Sequence, residues 1–146
     1  MPRVQLRYPG NTFCSHEIIV RLTDLSQAAH LGFDRLVSII HDSASVFLDN
    51  IGIDITGSRE IHIIFADLAV QYLSEAFRGD RLVIDMALGE IASRGIEVFF
   101  KVVNKTLSRE VALAKIGMVF FDYENGCAIK IPHDILVKLN YANCND

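Results

Sequence analysis

The residues with the most chemical promise sit in one polar turn, Thr23-Asp24-Leu25-Ser26-Gln27, followed by Ala28, Ala29 and His30. No hydrophobic period runs through that turn. One begins just after it, where Phe33, Val37, Ile40, Ala44, Phe47 and Ile51 recur at spacings of three and four and Leu36 and Leu48 widen the stripe. That is the pattern of a helix with one face in a core. The first turn of such a helix has backbone N–H groups without intrahelical acceptors and carries a partial positive charge. Asp24, Ser26 and His30 beside it therefore suit an oxyanion or a polarised carbonyl. The same residues also have a plainer use, since Asp24 or Ser26 can end a strand and cap a turn with a side-chain oxygen. Ser26 has no activating partner nearby in sequence, and His30 either lines a site or packs at the helix start. Asp67 is the other acid in an unusual place, within an apolar run, and a bulge that turns it into water accounts for it equally well.

Around the long helix the chain reads as strands. His16 to Leu22 is β-branched enough for a first strand, and Gly52 with Gly57-Ser58 ends the helix near Ile51. Glu60 to Tyr72 alternates, with a parity change near Asp67 that marks a bulge or bend. Arg81 to Ala92 and Ile96 to Asn104 alternate on either side of Ser93-Arg94-Gly95 and read as a hairpin. Glu110 to Tyr123 follows as the longest and most central strand, with Ala112 and Ala114 small enough for a helix to lie close. Pro132 opens a short closing helix carrying Ile135, Leu136 and Leu139. The expectation is an α+β fold in one domain over residues 1–146: a five-stranded antiparallel sheet wrapped around one long helix, with a short C-terminal helix.

Bulk properties narrow the function. A net charge of -4 and a pI near 5.7 make nucleic acid an unsuitable partner. Cys14, Cys127 and Cys144 are odd in number and far apart, which supports neither a disulfide framework nor a metal site. The lead segment lacks a signal-peptide core and no apolar run is long enough to span a bilayer, so a cytoplasmic protein with no membrane association is expected. With 51% hydrophobic residues and a mean hydropathy of +0.29, some apolar surface is expected to be covered by another subunit.

From Val20 to Gly52 the stretch VRLTDLSQAAHLGFDRLVSIIHDSASVFLDNIG resembles the hot-dog acyl-CoA thioesterases related to 4-hydroxybenzoyl-CoA thioesterase. Asp24 falls on the first aspartate of the family's Asp-x-Asp turn and His30 on the position before the helix. Phe47-Leu48 and Gly52 match the helix end, and Ala76-Phe77-Arg78-Gly79-Asp80 resembles the family's small-aromatic-x-Gly-Asp connection. The resemblance implies hydrolysis of an acyl-CoA to free acid and coenzyme A in a cleft between subunits of a homodimer or homotetramer. Coenzyme A is then part of substrate and product, and no separate cofactor or metal is implied.

The resemblance also implies site residues. The backbone amide of Phe33 would polarise the carbonyl, with Gly32 admitting the ligand to the main chain, while the Phe33 ring anchors in the core. Asp24 is the first candidate base, Ser26 and His30 complete the catalytic set, and Asp67, Arg59, Arg78 and Arg81 join Gly32 in binding substrate. Leu36, Ile40 and Phe47 would line the acyl pocket, and Lys101 and Arg109 are further basic groups for the coenzyme's phosphates. One departure matters: the family's second aspartate, its nucleophile or base, is Ser26 here. That keeps open a non-catalytic acyl-CoA-binding module, and, further off, a hot-dog enoyl-CoA hydratase or dehydratase.

Overall fold

The computed structural model describes residues 1–56 and 61–144. The chain runs β1 (Thr12–Ile19), a 3-10 turn (Leu22–Asp24), α1 (Phe33–Asn50), β2 (His62–Tyr72), β3 (Arg81–Ile91), β4 (Gly95–Asn104), β5 (Arg109–Asp122), β6 (Cys127–Ala128) and α2 (His133–Cys144). Every strand pair is antiparallel. The sheet order is β1-β3-β4-β5-β2, with β6 added to β5. This is the α+β hot-dog architecture, with α1 against one face of the sheet.

Period explains the packing. On α1, Leu36, Ile39, Ile40, Ala44, Phe47 and Leu48 are buried, a stripe that meets the inward residues of each strand. Those are Leu82, Ile84 and Met86 on β3, Val98, Phe100 and Val102 on β4, and Ala112, Ala114, Ile116, Met118 and Phe120 on β5, all at most 4% exposed. The helix is also pinned to β1 by a polar contact. Ser43 Oγ donates to Ile39 O at 2.8 Å and accepts from His16 Nδ1 at 3.1 Å. A fully buried hydroxyl is thereby satisfied in both directions.

Several expectations shift. β1 starts at Thr12 and ends at Ile19 rather than spanning His16 to Leu22, because Val20 turns away to donate to Asp80 O and accept from Gly79 N. β5 is the longest strand, at 14 residues, yet β4 is the central one. The parity change is a true bulge between Phe65 and Asp67. Pro132 precedes α2 and supplies its carbonyl to Leu136 N at 2.9 Å instead of being the first helical residue. Neither described helix is long and apolar enough to cross a membrane.

The turn before β3 depends on Asp80. Its Oδ2 accepts from Phe77 N and from Asn104 Nδ2, both at 2.8 Å, and Gly79 takes φ +86, a left-handed conformation that glycine adopts without strain. Asp80 and Asn104 are 7% and 0% exposed. Asp80→Ala strands both donors and is expected to lower stability by about 1–3 kcal/mol in chemical denaturation.

Candidate active site

Backbone hydrogen bonds fold the polar turn onto the helix start. Gly32 N donates to Asp24 O at 3.0 Å, Ser26 N to His30 O at 2.8 Å, and Leu31 N to Ala76 O at 2.8 Å. Ala29 takes φ 64 within this turn, a region that costs an alanine free energy. The first bond of the helix is Leu36 N to Gly32 O at 2.9 Å. The amides of Phe33, Asp34 and Arg35 are therefore left over by the helix itself, and among the described residues no hydrogen bond uses the Phe33 N–H.

A cavity of about 280 Å³ opens beside that helix start, and its wall includes His30, Leu31, Phe33, Leu36, Tyr72 and Glu75. The Phe33 ring is 72% exposed, so Phe33 is not a core anchor. Its ring instead meets Tyr72 edge-on at 6.2 Å. The Tyr72 hydroxyl donates to Phe33 O at 2.8 Å. Burial, with a smaller contribution from nearby Asp34, pushes the Tyr72 pKa up, which keeps that hydroxyl protonated. His30 Nδ1 lies 3.0 Å from Leu31 O. A carbonyl only accepts, so Nδ1 is the donor in this contact and Nε2 is the ring nitrogen it leaves uncommitted.

The other expected residues are more dispersed. Asp24 is buried, and its carboxylate accepts from Arg21 N at 2.8 Å, Nε at 3.2 Å and a terminal guanidinium nitrogen at 3.1 Å. The Arg21 guanidinium holds its pKa below the ordinary carboxylate range. It lines a different cleft, of about 450 Å³, with Arg35, Ser38 and Asp42. Ser26 is exposed, and its Oγ accepts from Ala28 N at 3.2 Å. Gly32 has ordinary extended dihedrals, φ -66 and ψ 143. A Cβ there would meet only the end of the exposed Asp34 side chain at 2.7 Å, which can move aside, and no backbone atom closer than 3.7 Å.

Asp67 is on the sheet face away from α1, where Lys115 Nζ donates to both of its oxygens at 3.0 Å and Gly117 N donates at 2.8 Å. Those donors lower its pKa, Lys115 most of all. Arg81 pairs with Glu17 at 3.2 Å, and Arg78 is exposed in the turn before β3. Arg59 lies outside the described residues. Ile40 and Phe47 are fully buried in the core, and only Leu36 of the expected acyl-pocket residues reaches the cavity wall. Arg109 donates to Glu75 O at 2.8 Å, close to the cavity wall.

His30, Phe33 and Leu36 are thus brought together, while Asp24, Ser26 and Asp67 face elsewhere. Tyr72 and Glu75 join the site without having been singled out in sequence. Arg21 was also missed, although its position three residues before Asp24 is a visible signal.

Asp24→Ala is expected to cost about 1–2 kcal/mol of stability, because Arg21 N loses its acceptor. A depressed folded-state pKa contributes stability above the unfolded value, and that contribution is lost as pH falls through the folded one. The melting deficit of the variant should therefore shrink below about pH 4. A variant that melts like wild type and has lost kcat would return the base role to Asp24.

Residues 20–139 match the model of the thioesterase-like superfamily. No curated protein sequence matches this chain. Among solved structures it is similar to a 1,4-dihydroxy-2-naphthoyl-CoA thioesterase from Synechocystis, at 13% identity and a TM-score of 0.78, covering 86% of this chain and 94% of that one. It is similar to a Staphylococcus aureus protein solved in complex with CoA, at 14% identity and a TM-score of 0.84, covering 90% and 84%. A gentisyl-coenzyme A thioesterase gives 13% identity and a TM-score of 0.77 over 86% and 99%.

Proposed function

Because this chain belongs to the thioesterase-like superfamily and is a thioester hydrolase on that ground, we propose that its substrate is an acyl-CoA, cleaved to the free acid and coenzyme A. The observation that carries the reading is the Phe33 amide left over at the helix start, beside a cavity whose wall also holds His30, anchored through Nδ1 to Leu31 O.

The carbonyl oxygen accepts from the Phe33 N–H, where the helix dipole favours developing negative charge. His30 Nε2 takes a proton from water as the water oxygen bonds to the carbonyl carbon. The resulting oxyanion stays on the Phe33 amide. Its collapse breaks the C–S bond, and the imidazolium returns the proton to the leaving sulfur, so acid and free thiol form in balance. Leu31 O holds the ring in the tautomer that this requires. Asp24 and Ser26 shape the turn that presents His30. Leu31, Leu36, Phe33 and Tyr72 give the acyl group an apolar wall, and Arg109, held on Glu75 O in that wall, is a basic group available for phosphate contacts, with Arg78 exposed in the turn before β3 as a second. Among the described residues no group of three or more His, Cys, Asp or Glu side chains could hold a metal ion, and turnover is expected in the presence of chelator.

Two chains pair through β2. It is an edge strand that exposes Phe65, Leu68 and Tyr72 at 37%, 44% and 46%, a combination that partner strands cover. Light scattering should give at least twice the chain mass at micromolar concentration, and a single-chain mass overturns the pairing.

The test of function is steady-state release of free thiol from a panel of aliphatic and aromatic acyl-CoA thioesters, with and without chelator. Turnover without metal is expected. Binding of the same thioesters with no thiol release would favour the binding module, which Ser26 at the family's carboxylate position supports.

A further inference from the structure

The segment before β1 is a strap over the sheet face that turns away from α1. Tyr8 shares a hydrogen bond of 2.8 Å with Thr12 Oγ1, and its ring lies 5.0 Å from Lys101 Nζ on β4. Leu6 N donates to Gln71 Oε1 on β2 at 2.9 Å. Lys101 alternates with buried Phe100 and Val102, and Gln71 is in register with Leu113 between buried Ala112 and Ala114. Both contacts are therefore on the outer face. From β1 to β2 the sheet order requires four steps, about 19 Å at the usual strand spacing. The six residue steps from Leu6 to Thr12 can span about 20 Å. The strap bends at Gly10, which takes φ +94, and its contact with Gln71 brings it to the β2 edge of the sheet, with Met1–Gln5 lying before that contact.

Those residues extend up to about 16 Å further, the width of some three strands. Within them Met1 is fully exposed and Val4 is 51% exposed. We propose that Met1–Gln5 is an arm that seats on a second copy of this chain, on the outer face of the sheet beyond its β2 edge. The inference rests on the β2 pairing proposed above, and it adds an interface on the face opposite α1. With the twofold axis at the exposed mid-strand residues Phe65–Leu68, Gln71 of one copy lies opposite the His62–Ile64 end of the other. There the arm meets Ile64, Val119 and Phe121 of the partner subunit. In this chain those residues are half-buried and alternate with the buried Met118 and Phe120, so they offer an apolar bed for Val4 and Met1. The exchange is reciprocal, as an isologous dimer demands.

The experiment has two arms. Deleting residues 2–5 leaves the Leu6 and Tyr8 contacts in place and should raise the dimer dissociation constant about tenfold or more, which is 1.4 kcal/mol, in sedimentation across a dilution series. A photo-crosslinking amino acid at Val4 should join light to heavy chains in a mixture of unlabelled and isotope-labelled protein, with adducts on β2 or β5. A dimer whose dissociation constant ignores the deletion, or adducts within one chain only, overturns the arm and leaves the pairing intact. A full-length chain that is monomeric overturns the pairing first and the arm with it.

Discussion

A Phe33→Pro variant is expected to keep its helix and to lose about 10²–10³ in kcat, the loss seen when one oxyanion donor is removed. Backbone donors are usually beyond the reach of mutagenesis, because proline breaks a helix interior. Phe33 is the exception in this chain. It is the first helical residue, where proline's missing N–H has no intrahelical acceptor and its fixed φ suits the helix. The residue before a proline must be extended, with ψ near +120 to +160°, and Gly32 has φ -66 and ψ 143. The Phe33 carbonyl that holds Tyr72 is retained. Phe33→Ala serves as the control, since it keeps the amide and removes the ring that packs on Tyr72. It should raise KM with a much smaller effect on kcat, because ring contact binds ground and transition states alike. Equal kcat in wild type and Phe33→Pro would remove the amide from the mechanism.

His30→Gln should be the second large loss, about 10²–10⁴ in kcat. Glutamine has a similar reach and can donate to Leu31 O as the ring does, so the turn is held while the proton acceptor is gone. Melting temperature should therefore stay near that of wild type. A purely structural role would lower kcat only together with stability, so a large kcat loss at an unchanged melting temperature and a nearly unchanged KM is the readout that identifies a group acting in the transition state. Full activity in folded His30→Gln would pass the base role to Glu75, the carboxylate in the cavity wall. An unreactive wild type across the whole panel would remove the mechanism and leave a binding module.

Much of this protein was legible from local pattern. The i, i+3, i+4 stripe after residue 33 and the alternation through most of β3, β4 and β5 depend only on which residues a helix or strand turns inward, and that is a matter of period. Gly79-Asp80 and the turn at Ser93-Arg94-Gly95 declare themselves by residue type. The helix start beside Asp24, Ser26 and His30 was likewise visible as a place where charge could be met, because unpaired amides follow from helix geometry alone.

Tertiary structure decided which of those residues face one another. The order β1-β3-β4-β5-β2 puts Tyr72 against the helix start, 39 residues from its partner Phe33. It also leaves β2, not the longer β5, at the free edge. No periodicity encodes that, because alternation says which face a side chain takes and nothing about which strand lies beside it. Asp24 reads the same in sequence whether it serves as a base or as a strut. Three donors from Arg21 made it a strut, with its charge already spent inside the turn. His30 reads the same whether it packs or lines a site, and one carbonyl 3.0 Å from Nδ1 decided which nitrogen stays free for chemistry. Local sequence sets each residue's inclination, and long-range pairing sets its neighbours, which is where hydrogen-bond acceptors, burial and proton affinity come from.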